Sequence, residues 1–186
     1  MNDTPIRVLG ISGSLRQGSF NTAALLAAME LAPAGMQIER AHIDDIPLYN
    51  EDLRTQGFPA PVERLREQVR RADALLIVTP EYNYSVPGVL KNAIDWVSRP
   101  PEQPFAGKPT AIMGASPGFT GSARAQYHLR QMFVFLDALL INRPEVMIGG
   151  AHERFDAAGH LTHEPTREII GKLLVALAAW TRRLQK

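Results

Sequence analysis

The run Ala74-Leu75-Leu76-Ile77-Val78-Thr79 has no polar residue before its last position. A strand that is apolar on both faces must be covered on both faces, and that is the situation of a central strand in a parallel sheet. The segment before it, Val62 to Ala72, sets Val62, Leu65 and Val69 among charges at helical spacing. The segment after it, Pro87 to Val97, repeats that spacing with Val89, Leu90, Ala93, Ile94 and Val97, and Pro87 suits a first helical turn.

The same alternation extends in both directions. Ile6 to Ile11, Met36 to Ile43, Thr110 to Gly114 and Val146 to Ile148 read as further strands. Asn21 to Leu31, Ser122 to Leu140 and Thr166 to Leu184 read as further helices. Each crossover is long enough to join a parallel pair. The expected fold is α/β, a flavodoxin-like, doubly wound, five-stranded parallel sheet with helices on both faces, formed as a single domain over residues 1–186. The polar stretch from Gly149 to Pro165 is expected to be mobile or to face a partner.

Composition narrows the chemistry. Twenty basic residues against nineteen acidic ones give no basic surface for nucleic acid. With no cysteine there are no disulfides, thiolate metal sites or thiol nucleophile, so redox chemistry would have to come from a bound cofactor. No apolar run reaches the roughly 18 residues of a membrane span. The N-terminus MNDTPIRV lacks a basic region followed by an apolar one. A cytoplasmic protein without nucleic-acid or membrane partners is expected.

In an open parallel sheet, ligands lie beyond the carboxyl ends of the strands, and three loops there have unusual composition. The first contains GSLRQGSF, residues 13–20. Gly13 and Gly18 have the spacing of a Walker A loop, but Ser19-Phe20 stands where that motif needs Lys and then Ser or Thr. Hydroxyls of Ser12, Ser14 and Ser19, backbone N–H groups near the glycines, Arg16 and a helix start near Asn21 suit a phosphate monoester. The missing lysine argues against a transferring γ-phosphate.

The second loop, Thr79 to Gly88, offers Tyr82, Asn83 and Tyr84. Either these residues meet the edge and faces of a flat heterocycle, or the tyrosines simply pack on the surface. The third, Gly114 to Ser122, contains G-x-S-x-G over Gly114–Gly118. An esterase elbow would need the N–H of the residue after Ser116, and that residue is Pro117. A glycine-rich wall beside a planar ligand suits this loop better. His160, His163, Glu164 and His152 form no convincing metal motif, and His42 and His128 read as isolated polar groups.

With these loops assembled, the sequence resembles the NAD(P)H-dependent FMN reductase family, and within it the chromate and quinone reductases. The resemblance is carried by GSLRQGSFN at 13–21, PEYNYSVPGVLKNAIDW at 80–96 and GSARAQYHLRQ at 121–131. It implies bound FMN as cofactor and NADPH or NADH as co-substrate. Ser14, Arg16, Ser19, Phe20 and Asn21, with Leu15, Gln17 and Gly18 between them, would hold the FMN phosphate. Pro80, Glu81, Tyr82, Asn83 and Tyr84 would line the isoalloxazine, and Ser116, Pro117, Gly118 and Gly121 would close the other side. It implies no catalytic acid or base, with electrons passing to small-molecule acceptors: quinones, and further chromate, azo compounds or free flavin. It also implies a homodimer that pairs into a homotetramer, with Arg124 and Tyr127 meeting Glu145 of another subunit; the alternative for Arg124 and Tyr127 is an intrasubunit helix face. Arg99, after the helix that leaves the flavin loop, is expected either to steer anionic substrates or to be a helix C-terminal charge. The alternative is a flavodoxin-like electron carrier, against which a net charge of +1 argues, since such carriers are usually strongly acidic.

Overall fold

The computed structural model describes residues 4–185; residues 1–3 and 186 of the expected 1–186 domain lie outside the described residues. The strands are β1 (Ile6–Ser12), β2 (Met36–Ala41), β3 (Ala74–Val78), β4 (Pro109–Ala115), β5 (Leu139–Leu140) and β6 (Val146–Ile148). All pair in parallel, in the order β2-β1-β3-β4-β5, with β6 also on β4. β3 and β4 are buried along their whole length; β3 is apolar throughout, and in β4 the Thr110 hydroxyl donates to the Lys108 carbonyl at 3.0 Å.

The helices are α1 (Phe20–Glu30), α2 (Glu51–Thr55), α3 (Ala60–Arg71), α4 (Gly88–Val97), α5 (Ala123–Phe135) and α6 (Glu164–Leu184). They cover both faces. Leu25 and Ala28 of α1 join Ile170, Leu174 and Leu177 of α6 in one core. Leu65 and Val69 of α3, Leu90 and Ile94 of α4, and Leu129 and Phe133 of α5 join the core on the other face. Chain order and sheet order diverge between β1 and β3, so that crevice, beyond the strands' carboxyl ends, is the switch point.

Three sequence expectations change. The helix expected over Ser122 to Leu140 ends at Phe135; Asp137 turns into the left-handed region at φ 53, and Leu139–Leu140 become a strand. The fifth position of the sheet is therefore shared. β5 pairs with Pro109 and Thr110 of β4, and β6 pairs with Met113 to Ala115. Secondly, α2 was not expected, being only five residues long and without a buried side chain. Finally, the 149–165 stretch is packed rather than loose. Ala151, Phe155 and Leu161 are buried in the α1/α6 core. Arg154 donates to the Gly149 carbonyl at 2.7 Å, and Phe155 bridges Leu161.

Candidate active site

The β1–α1 turn gathers hydrogen-bond donors at the carboxyl end of β1. Ser19 caps α1, its Oγ accepting from the N–H groups of Asn21 (3.2 Å) and Thr22 (3.5 Å). Gly18 sits at φ +65, where a Cβ would be strained, and so the chain can reverse just before the cap. Ser14 is buried, and its Oγ accepts from the Arg16 N–H at 3.4 Å. Among the described residues, the main-chain N–H groups of Leu15, Gln17, Gly18 and Phe20 have no hydrogen-bond partner. The exposed Arg16 lies 5.6 Å from the Phe20 ring and reaches only the neighbouring Gln17 carbonyl, at 3.4 Å. Free amides, a helix N-terminus and an unpaired guanidinium together suit a dianion.

Asn21 does something else. Its side-chain amide donates to the Ala115 carbonyl at 2.9 Å, and its Oδ1 accepts from the Ala115 N–H at 2.8 Å. Both groups are buried. Asn21 therefore brackets the first loop to the end of β4 through both polar atoms of its side chain.

The second loop is a tight reversal. Tyr82 and Ser85 exchange both main-chain hydrogen bonds, at 3.1 and 3.0 Å. Asn83 and Tyr84 take φ of 50 and 66, the geometry of a type I′ turn. Asparagine tolerates that region; tyrosine does so at a cost of order 1–3 kcal/mol that the surroundings must offset. The Arg124 guanidinium lies 3.9 Å above the Tyr84 ring. His128 meets the Ser85 hydroxyl at 2.9 Å, a contact with no local sequence signal. Tyr82 and Tyr84 stay exposed, so the turn presents two aromatic side chains beside the switch point.

Glu81 does not point outward with them. Its carboxylate accepts from the N–H groups of Arg124 (2.9 Å) and Ala125 (3.2 Å), and from Arg124 Nη1 at 2.7 Å. Burial raises the carboxyl pKa, but Arg124 and these amides outweigh it and hold it below the usual carboxylate range. Glu81 thus caps α5, whose own cap residue, Ser122, makes no side-chain cap bond.

The third loop forms the opposite wall. The Ser116 Oγ accepts from the Gly118 N–H at 3.0 Å, and the Ser116 main chain bonds Ile148 and Ala151. Pro117 and Gly118 are exposed. At Gly121 (φ +55) an added Cβ would fall 2.5 Å from the Met147 carbonyl carbon, so only glycine lets this loop lie on β6. The three loops meet at the carboxyl ends of β1, β3 and β4, as the sequence implied.

A family model described as NADPH-dependent FMN reductase matches residues 6–153, which contain all three loops. The chain belongs to that family. This FMN reductase family member is 64% identical over 180 residues to an NAD(P)H-dependent FMN reductase of Pseudomonas aeruginosa, covering 97% of each chain. It is 48% identical over 183 residues to a quinone reductase of Escherichia coli, again covering 97% of each. Among solved structures it resembles an NAD(P)H:(acceptor) oxidoreductase flavoenzyme of Paracoccus denitrificans, with a TM-score of 0.88 and 36% identity over 96% of this chain and 98% of that one.

Two groups of the expected residues lie apart from the three loops in this family member. Arg99 follows the carboxyl end of α4, a helix about 15 Å long at 1.5 Å per residue that leads away from the second loop. Its Nε donates to the Asp95 carbonyl at 3.0 Å and its guanidinium lies 5.6 Å from the Tyr49 ring. That placement fits a helix C-terminal charge. The nearby Glu145 carboxylate of the same chain raises the Tyr127 pKa. Arg124, as described, is engaged by Glu81 and Tyr84 of its own chain. Within one chain, then, Arg124 and Tyr127 already have polar neighbours. His160 faces Asp156 at 3.1 Å, and His163 lies against Arg154 and Thr166.

Proposed function

We propose that the chain is an FMN-containing reductase that oxidises NAD(P)H and delivers two electrons to quinones. The observation that carries this is the β1–α1 turn, with its unpaired amides, Ser14 hydroxyl and Arg16 at the carboxyl end of β1. That donor set fits the phosphate of FMN: a monoester dianion takes several donors and one cation, and the site demands no metal. Ser14, Arg16 and the amides of Leu15, Gln17, Gly18 and Phe20 would hold the phosphate. Tyr82, Asn83 and Tyr84 would border one side of the isoalloxazine, and Ser116, Pro117, Gly118 and Gly121 the other. Asn21 and Glu81 would act by fixing the loops.

Bound FMN supplies a centre that accepts hydride from a nicotinamide and returns two electrons to an acceptor. The overall balance is NAD(P)H, one proton and a quinone giving NAD(P)+ and a hydroquinone. The chain's own part is to anchor, orient and border the cofactor. Main-chain groups in a rigid turn do this without reorganising. No side-chain acid or base is assigned.

Tyr82 and Tyr84, with Phe119 at 99% exposed, make an open aromatic rim and not a closed pocket. Such a rim supports broad acceptor tolerance, with chromate, azo compounds and free flavin within its range. The NAD(P)H named for its relatives supports a cytoplasmic location, where that reductant is available. Along α5, Tyr127, Val134 and Phe135 are exposed on one helical face. This apolar stripe supports self-association into the homodimer and homotetramer that the resemblance implies.

One shared shelf for donor and acceptor has a kinetic consequence. Initial-rate plots against NADPH, at several fixed quinone concentrations, are expected to give parallel double-reciprocal lines. Intersecting lines would require donor and acceptor to bind together and would contradict a shared shelf.

A further inference from the structure

The second and third loops meet at the first turn of α5. Gly121 and Ser122, the last residues of the third loop, both take left-handed backbone angles, φ 55 and 68. Glycine adopts that region freely; a serine does so at a cost that its surroundings must offset. Ser122 is fully buried and lies against Gly114 of β4, where an added Cβ would collide with both the Ser122 Oγ and the Thr79 carbonyl oxygen. Thr79 opens the second loop. That loop reaches the same turn again through Glu81, whose carboxylate accepts from the Arg124 and Ala125 N–H groups. One side chain holds this joint from within. Gln126 is 1% exposed, and its Nε2 donates to the Val146 carbonyl at 3.0 Å, the Ser122 Oγ at 3.3 Å and the Gly121 carbonyl at 3.4 Å. Two of these partners are carbonyls, which only accept, so the nitrogen must lie on this side of the amide. Its Oε1 is buried and has no partner among the described residues.

A buried amide oxygen without a donor is costly, and a side chain that only packed here would do better apolar. The amide is accounted for by its nitrogen, which ties α5 to β6 and to the left-handed pair. We propose that Gln126 is a positioning residue for reduction of the bound flavin. It acts through Ser122 and the first turn of α5 to set the glycine-rich wall against the aromatic turn. This rests on the reductase reading above and deepens it. Hydride transfer depends on close alignment of nicotinamide and flavin, and a displacement of about 1 Å costs roughly 100-fold in rate. Gln126 makes no hydrogen bond to the β1–α1 turn, where the phosphate is assigned. FMN affinity and reduction rate should therefore respond separately to its replacement.

Gln126→Met keeps the length and removes the donors, while Gln126→His keeps an N–H at similar reach. The FMN-loaded variants and wild type are compared by visible circular dichroism of the bound flavin and by anaerobic stopped-flow reduction with NADPH. The dichroism reports how the walls surround the ring and needs no turnover. Gln126→Met is expected to keep the Kd for FMN within about threefold and to lose about half or more of the flavin dichroism. Its limiting reduction rate should fall roughly tenfold to a hundredfold, with the NADPH concentration at half-maximal rate within about threefold. Gln126→His is expected to recover most of both signals. Ser122→Gly takes the left-handed angle without strain and keeps the fold if Gln126→Met does not. It is expected to lower the limiting rate about threefold to tenfold with little change in Tm. Wild-type dichroism and limiting rate in Gln126→Met, even with a lowered Tm, would overturn the proposal and leave Gln126 a structural residue. So would the same result in Ser122→Gly, or a folded Gln126→His protein that behaves like the methionine variant. Failure of the reductase reading shows separately, as a wild-type flavin that NADPH does not reduce, and would overturn both.

Discussion

Replacing Asn21 with alanine is expected to destabilise the FMN-free protein by about 2–4 kcal/mol, because it leaves the buried N–H and C=O of Ala115 without partners. For a chain of this size that is a fall in Tm of about 4–16 °C. Asn21→Asp is expected to be no rescue. It keeps an acceptor for the Ala115 N–H but sets a carboxylate against the Ala115 carbonyl. Thermal unfolding of the FMN-free variants, followed by circular dichroism, measures this. The FMN-reductase resemblance instead suggests a phosphate ligand at this position. On that view the FMN-free protein would keep its Tm within about 1 °C, and only FMN affinity would fall. The geometry argues for the bracket, since both polar atoms of the side chain bond β4.

Arg16→Ala is expected to do the reverse. Arg16 is exposed and bonds only the Gln17 carbonyl, so its removal costs the fold little. It removes a charge-assisted contact to the phosphate, worth about 1.5–3 kcal/mol, so the Kd for FMN should rise roughly tenfold to a hundredfold. At saturating FMN, kcat should stay within about twofold, because the reacting ring lies away from the phosphate. Fluorescence titration of FMN into the FMN-free protein reads the first quantity and steady-state turnover the second. Unchanged affinity would remove Arg16 from the cradle.

The contrast between these two residues shows what a sequence can disclose. One motif, GSLRQGSFN, holds both an exposed cation with little to bond and a buried amide bonded to a strand 94 residues away. Glu81 is a similar case, being read as a flavin neighbour but engaged with α5, 43 residues on. Local pattern identifies the loops because strand ends and glycine spacing are local. It does not identify which side chains hold the loops together, because those partners are set by tertiary contact. The same limit hid β5. Phe133 to Leu140 is apolar enough for either a helix or a strand, and the boundary is a backbone reversal at Asp137. The 149–165 stretch looked loose by composition, yet three apolar residues, Ala151, Phe155 and Leu161, are enough to pin it to the core. The central strand β3 was legible for a simple reason: burial on both faces favours an unbroken apolar run.

Arg124 links two of the site's features. It pairs with Glu81, which lies just before the aromatic turn, and it covers the strained Tyr84 ring. The turn is thus held from α5 and the β1–α1 turn from β4, so the two ends of the candidate site are fixed by different elements. This rigidity suits a protein whose task is to position a cofactor.

The central claim is that this chain binds FMN and that NAD(P)H reduces it directly. The most direct measurement is the visible spectrum of the FMN-loaded protein before and after NADPH is added in the absence of oxygen. The flavin band is expected to bleach within the turnover time and to return when a quinone is added, with one hydroquinone formed per NADPH consumed. A flavin band that persists in excess NADPH and NADH, but bleaches with a chemical reductant, would contradict the claim and leave the chain as an electron carrier served by a separate reductase.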